Sequence, residues 1–294
     1  MKVFVLGLDG LEYMLVSKWK LENLMQVKYG YFEVSEEYAH KRGGVPYTPI
    51  IWASFITGKK PSEHGVRELW TYGKFLDKLR HLPPIKWIKG KRRFLSKLGL
   101  KPKVVGRETL NCPTIFDVIN PSIAVNVPSY NESTHLHRRL SEAFYRGLEE
   151  YEKEIWRVHE ERKKATYDAL RSGYWKLFMT YFDLADLLGH LHFIKRPFKL
   201  LKAYLELNNL AGELQSRVPN DTVFLIISDH GMEPSGDGVT GNHSKRAFWS
   251  LNLNEKWEPR DFTDFFPKIM QWLNYQNIGL IKNKSKVKRN AFVL

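Results

Sequence analysis

The sequence predicts an α/β fold in three layers, α/β/α, around a mostly parallel central sheet. Short apolar runs at 2–8, 122–127, 175–182, 222–228 and 246–252 read as buried strands. Between most of them lie stretches with apolar residues at three- and four-residue spacing, which read as helices. Strands alternating with helices build a parallel sheet covered on both faces.

Each element follows from its residues. The first run ends in Asp9-Gly10. It is too short in its apolar part for a signal peptide and has no small-residue cleavage site. Thr48 reads as a helix N-cap, Pro49 as the first helical residue and Gly58 as the stop. A hydroxyl there faces unpaired backbone N–H groups, the conditions for holding a phosphate. Residues 71–110 are basic and proline-containing and interrupt the alternation, so they read as an insertion and a candidate cap. Residues 134–170 carry Leu136, Leu140, Phe144, Leu148, Tyr151, Ile155 and Val158, the spacing of one amphipathic helix. Further helices are expected at 197–217 and 261–274. The most apolar run, Thr222-Val-Phe-Leu-Ile-Ile-Ser228, reads as a strand buried on both faces. No internal repeat is visible. Residues 1–294 therefore read as a single catalytic domain, with 282–294 as a basic tail.

Composition narrows the function classes. The formal net charge is +14. Residues 74–107 hold twelve Lys and Arg against one acid, Asp77. Such a segment attracts phosphates, and its interleaved Trp87, Ile88, Phe94 and Leu95 would suit nucleic acid or an anionic membrane surface. No apolar stretch reaches the ~20 residues of a membrane-crossing helix. One cysteine, Cys112, excludes an internal disulfide, and a cytoplasmic protein is expected.

Chemistry concentrates where strands end. Asp9-Gly10 follows the first run. Asp186-Leu-Leu-Gly-His190 follows the run at 175–182. Asp229-His230-Gly231 follows the run at 222–228, and Gly241-Asn242-His243 precedes the run at 246–252. A parallel sheet gathers its ligands at the carboxyl edge of its strands. Aspartate and histidine there suit zinc, with manganese also compatible. An Asp alone after a strand is an ordinary helix cap, and a Thr-Pro alone is an ordinary helix start. Their force lies in sharing one edge.

In this order the elements resemble the alkaline phosphatase superfamily, closest to its type I phosphodiesterase/nucleotide pyrophosphatase family. The resemblance rests on Thr48 with Thr57-Gly58, Asp186-x-x-Gly-His190, Asp229-His230-Gly231 and Gly-Asn-His243. It implies an alkaline phosphatase-like fold and two divalent metal ions, usually zinc. One ion would take Asp186, His190 and His243. The other would take Asp9, Asp229 and His230, with the Thr48 oxygen. It implies a metal-dependent phosphodiesterase or nucleotide pyrophosphatase in which Thr48 attacks phosphorus and a phosphothreonine is hydrolysed. Phosphomonoesterase and phosphonate hydrolase are the alternatives within the superfamily. A nucleic-acid or anionic-membrane binding protein with an idle site is the alternative of another class. The family's phosphate-holding asparagine is missing from His64-Gly-Val-Arg-Glu-Leu-Trp70, where Arg67 could substitute. His64 and His192 read as structural, Asp183 as a neighbour of the ligand Asp186, and Ser54 as too far along its helix to act.

Overall fold

The computed structural model describes residues 1–40, 43–83, 95, 98–171 and 173–275. The cations Lys86, Lys89, Lys91, Arg92, Arg93 and Lys97, and the tail 282–294, lie outside the described residues. In chain order the strands are β1 (Lys2–Leu8), β2 (Lys28–Glu33), β3 (Trp70–Thr71), β4 (Lys103–Val104) and β5 (Ser122–Val125). They continue with β6 (Leu177–Phe182), β7 (Thr222–Ile227), β8 (Gly231–Pro234), β9 (Gly241–Ser244) and β10 (Arg246–Leu251).

Six strands form the central sheet in the order β2-β10-β7-β1-β6-β5. β7, β1, β6 and β5 are parallel neighbours. β10 runs antiparallel to β7, and β2 antiparallel to β10. The sheet is thus mostly parallel, with an antiparallel flank that the apolar runs did not signal. Residues alternate between its faces. Val3 and Val5 of β1 join one core with Leu225 and Ile227, whereas Phe4 and Leu6 join the other with Phe224 and Ile226. Both faces are covered, as continuous apolar strands require.

The first face holds the helix Thr48–Thr57 and the helix Phe265–Trp272. The second holds Thr134–Arg146, Leu148–Leu170, Leu184–His192 and Pro197–Arg217. Residues 134–170 are therefore not one helix. Gly147 adopts φ +123°, outside helical geometry, and the two helices pack against each other. The apolar spacing continues across the break, which is why the sequence hides it. The basic segment starts from a base: β3 pairs with β4, and the helix Lys74–His81 follows β3. Among the described residues no helix is long and apolar enough to cross a membrane.

The helix Thr48–Thr57 is buried from Pro49 to Thr57. Its cap is Tyr47 rather than Thr48, which becomes the first helical residue. Gly58 ends it in the left-handed conformation, donating its N–H to the Ser54 carbonyl at 2.8 Å. His64 pins the helix from the side. The Val66 N–H donates to its Nδ1 at 3.1 Å, so Nε2 carries the proton and donates to Ser54 Oγ at 3.0 Å. Burial pushes the imidazole down to about 4 from its ordinary 6.5. A folded value below the unfolded one gives stability that is complete above pH 6.5 and lost as pH falls towards 4. We expect stability to drop by about 3 kcal/mol over that window. Denaturant unfolding of wild type and His64→Gln as a function of pH checks this. Parallel profiles for the two proteins would contradict it.

Candidate metal centre

The sheet brings the acidic strand ends together. β6, β1 and β7 run side by side, with Leu8 in register with Phe182 and Gly7 with Ile227. Asp9 follows at once, its N–H donating to the Phe182 carbonyl at 2.9 Å. Asp229 lies two residues past β7. The helix Leu184–His192 begins just beyond β6 and carries Asp186 and His190 one turn apart, on one face. Gly10, at φ +68°, allows the close approach: a Cβ there would lie 2.6 Å from the Asp186 Cα. The hairpin β8–β9 returns His243 to the site, where its ring stacks on His230 at 3.7 Å between centroids.

Six side chains converge. His190 Nε2 and His243 Nε2 are 3.0 Å apart, and each is 3.3 Å from Asp186 Oδ1. His230 Nε2 is 3.1 Å from Asp9 Oδ1 and 3.6 Å from Asp229 Oδ2. It is also 3.9 Å from Asp186 Oδ1, so the two groups adjoin. Donors bound tetrahedrally at zinc distances stand about 3.4 Å apart, which matches these spacings.

The polar atoms of the centre fit a cation. Asp9 Oδ1, Asp186 Oδ1, both Asp229 oxygens and His230 Nε2 are buried without hydrogen-bond partners. Unpaired buried acceptors are rare because each loses its hydration without return. Every histidine directs Nδ1 at a backbone carbonyl: His190 at Gly241 (3.0 Å), His243 at Pro46 (2.8 Å) and His230 at Gly231 (2.9 Å). An Nδ1–H donating to a carbonyl leaves the Nε2 lone pair facing the centre, the tautomer a metal ligand needs. A third His/Glu group, at His159, Glu160 and Glu206, differs. There Lys163 Nζ lies 2.5 Å from Glu206, so an ammonium supplies the positive charge.

Without a cation the charges must be shared with protons. Burial and the neighbouring Asp9 raise Asp229 well above the carboxylate range. Burial opposes ionisation of Asp186 too, but His190 and His243 beside it hold it well below that range. Asp186 in turn raises His190 to about 9. The centre is graded in depth. Asp229 and His230 are fully buried, whereas the His190 side chain is 39% exposed. Thr48 is half-buried, and its hydroxyl lies near enough to Asp229 to favour the ionised carboxylate. Ile50 and Ile51 donate to the Tyr47 carbonyl, so the helix start offers fewer unpaired N–H groups than a Thr48 cap implies.

Other expected residues fall elsewhere. Arg67 is exposed and lines an open cavity of about 330 Å³ with Trp70, Lys74 and Asn111, and no ion pair or hydrogen bond joins it to the centre. Asp183 is tied to Arg162 at 3.0 Å. His192 pairs with Glu152 at 3.1 Å. Ser54 and His64 hold each other, and Cys112 is a half-buried loop thiol.

Two supporting residues escaped sequence reasoning. Glu12 is buried and accepts from Met14 N–H (3.0 Å), Met232 N–H (3.0 Å), Ser244 Oγ (2.9 Å) and Arg246 Nε (2.9 Å). One carboxylate thus fastens the segments that follow Asp9, His230 and His243. Tyr181 donates its hydroxyl to Asp9 Oδ2, leaving Oδ1 for the centre. The only sequence signal for Glu12 was an acid inside the apolar stretch Leu11-Glu-Tyr-Met-Leu15. Tyr181 gave none.

The described model of the type I phosphodiesterase / nucleotide pyrophosphatase family matches residues 3–244. No curated protein matches the sequence. Among solved structures, murine ectonucleotide pyrophosphatase/phosphodiesterase 5 is 17% identical, over 81% of this chain and 59% of that one, with a TM-score of 0.42. The match thus spans about three-fifths of the murine chain's length. The human counterpart is 13% identical over 99% of this chain and 97% of that one, with a TM-score of 0.49. Phosphonoacetate hydrolase from Sinorhizobium meliloti 1021, in complex with phosphonoformate, is 14% identical over 82% and 59%, with a TM-score of 0.46.

A cation entering the centre competes with protons there: His190, raised to about 9, must give one up, and the upward shift of Asp229 adds to the competition. Zinc affinity is therefore expected to climb with pH from neutrality to about 9, and zinc uptake at pH 7 to release protons. Calorimetric titration in buffers of different ionisation enthalpy reads both, and a pH-independent affinity would contradict them. Glu12→Gln keeps the size of the clamp but spoils its pairing with Arg246. It should weaken zinc binding about tenfold or more, in a protein that still folds by circular dichroism.

Proposed function

Since the chain belongs to the type I phosphodiesterase / nucleotide pyrophosphatase family, we propose that it is a metal-dependent phosphodiesterase with Thr48 as nucleophile. Asp186, His190 and His243 would hold one divalent ion, and Asp9, Asp229 and His230 the other, with zinc preferred over manganese because imidazole enters both sets. The observation that carries the reading is the set of orphaned carboxylate oxygens and inward Nε2 atoms beside a threonine at a helix start. Divalent ions bound there would polarise a phosphoryl group and acidify a hydroxyl or water.

The chain's own groups account for the rest. Thr48 stands at the N-terminal end of a helix held rigid by burial, so its hydroxyl is aimed by the fold rather than by a mobile loop. The Thr48 hydroxyl also favours the ionised form of Asp229, the form in which that carboxylate would hold an ion. Three carboxylates against two divalent ions leave roughly +1, a charge that attracts a phosphodiester anion. Arg67 and Asn111 share the wall of a cavity separate from the centre, where they would meet a distal anionic group of a substrate long enough to span both. The basic stretch 74–107 would act as a cap and draw anionic substrates, nucleotides among them, towards the site. The unpaired thiol of Cys112 supports a cytoplasmic setting.

Hydrolysis of bis(p-nitrophenyl) phosphate and p-nitrophenyl phosphate with zinc or manganese tests the proposal. The diester should be the better substrate. Thr48→Ala should lower kcat by about a thousandfold or more, while the six Asp and His donors still retain the ions. Absence of turnover on every phosphoester offered to the metal-loaded protein would sink it.

A further inference from the structure

Large apolar side chains crowd one rim beside the metal centre. The helix Leu184–His192, which carries Asp186 and His190, runs straight into Ile194-Lys195-Arg196-Pro197-Phe198-Lys199, and all six of these residues are exposed. Phe198 is 83% exposed. Beside this tip stands a second one, at the turn between Thr134–Arg146 and Leu148–Leu170. It exposes Phe144, Leu148 and Tyr145, the last by 88%. Glu152 locks the two tips together, 3.1 Å from His192 Nε2 and 2.7 Å from Lys199 Nζ. The Lys195 N–H also donates to the Val239 carbonyl at 3.3 Å, which ties the first tip to the loop of the hairpin that carries His243.

The charges between these apolar groups are mainly positive. Arg146, Lys195 and Arg196 are interleaved with them and make no ion pair among the described residues. Glu149 and Glu150 share the single ammonium of Lys153, at 2.9 and 3.1 Å, which leaves one negative charge there. Glu142, one turn before the second tip, adds a second, so the three cations keep a small positive excess that is concentrated on the first tip.

We propose that these two tips are a docking surface for an anionic lipid bilayer. Exposed Phe, Tyr, Ile and Leu on protruding turns lose contact with water when they enter the headgroup region, which favours insertion. Cations set among them meet anionic headgroups at the same depth. A second copy of the chain would set cation against cation. A nucleic acid would leave Ile194, Leu148 and Phe198 without partners. Docking here would turn the open side of the centre, where His190 is exposed, towards the membrane. This deepens the function proposed above and rests on it only for which substrates the surface would bring near.

The test is flotation of the full chain with vesicles of phosphatidylcholine alone and of phosphatidylcholine mixed with phosphatidylglycerol. Binding is expected on the mixed vesicles, weakening with salt, and little on the neutral ones. Ile194→Glu/Phe198→Glu changes only exposed positions, and Leu148→Glu reaches the same surface from the other tip. Each should lower the partition coefficient about tenfold or more and leave hydrolysis of a soluble chromogenic diester unchanged. The proposal is overturned if wild type stays in the aqueous phase, or if both variants float as well as wild type. It is equally overturned if light scattering shows a dimer that the variants dissociate, or if single-stranded nucleic acid rather than vesicles loses affinity in them. An inactive protein that floats as described would reject the enzyme reading and keep the surface.

Discussion

Two buried carboxylates, Asp9 and Asp229, end neighbouring parallel strands and face the same small volume. Their repulsion sets the terms for the site. A buried carboxylate keeps its charge only beside positive charge, and here the neighbour is another carboxylate. Among the described residues no lysine or arginine pairs with either. Among those residues His230 is the imidazole within reach of both, and one imidazolium cannot balance two carboxylates. Divalent cations resolve this conflict without a proton, and the placement of the neighbouring histidines follows from it.

The surroundings make the conflict persist rather than relax. Glu12 gathers the three segments after Asp9, His230 and His243, and its own charge is met by Arg246. Tyr181 fixes one oxygen of Asp9, and three backbone carbonyls fix the imidazole rings. Four of the six donors, Asp9 and the three histidines, are thus held from behind. Such support outside the ligands is what separates a metal centre from a chance meeting of acids. The helix Thr48–Thr57 is held in the same manner, by burial along its length and by His64 at its flank.

The sequence made the central strands and their ends legible because β1, β6 and β7 are buried on both faces and therefore apolar throughout. That burial also placed Asp9, Asp186, Asp229 and His230 on one edge, and the structure does bring them together with His190 and His243. β2 was missed because Lys28-Tyr-Gly-Tyr-Phe-Glu33 is an edge strand, mostly half-exposed, whose apolar content is diluted. The hairpin β8–β9 was missed because Gly241-Asn-His-Ser244 owes its strand geometry to pairing, not to propensity. Arg67 was chosen for its charge and its place after His64-Gly65, and the fold leaves it on a separate cavity wall. The roles of Glu12 and Tyr181 depend on partners 232 and 172 residues away, which no local pattern encodes.

The six donors come from four places between Asp9 and His243, so they span nearly the whole catalytic part of the chain. Ions bound to all of them would behave as a cross-link. They would close long loops at once, between the first strand, the helix after β6, the end of β7 and the final hairpin. Unfolding from any one end would have to break ligand bonds to the other three. The same centre would then serve as the molecule's principal kinetic lock, and removing its ions would loosen the fold as a whole as well as silence its chemistry.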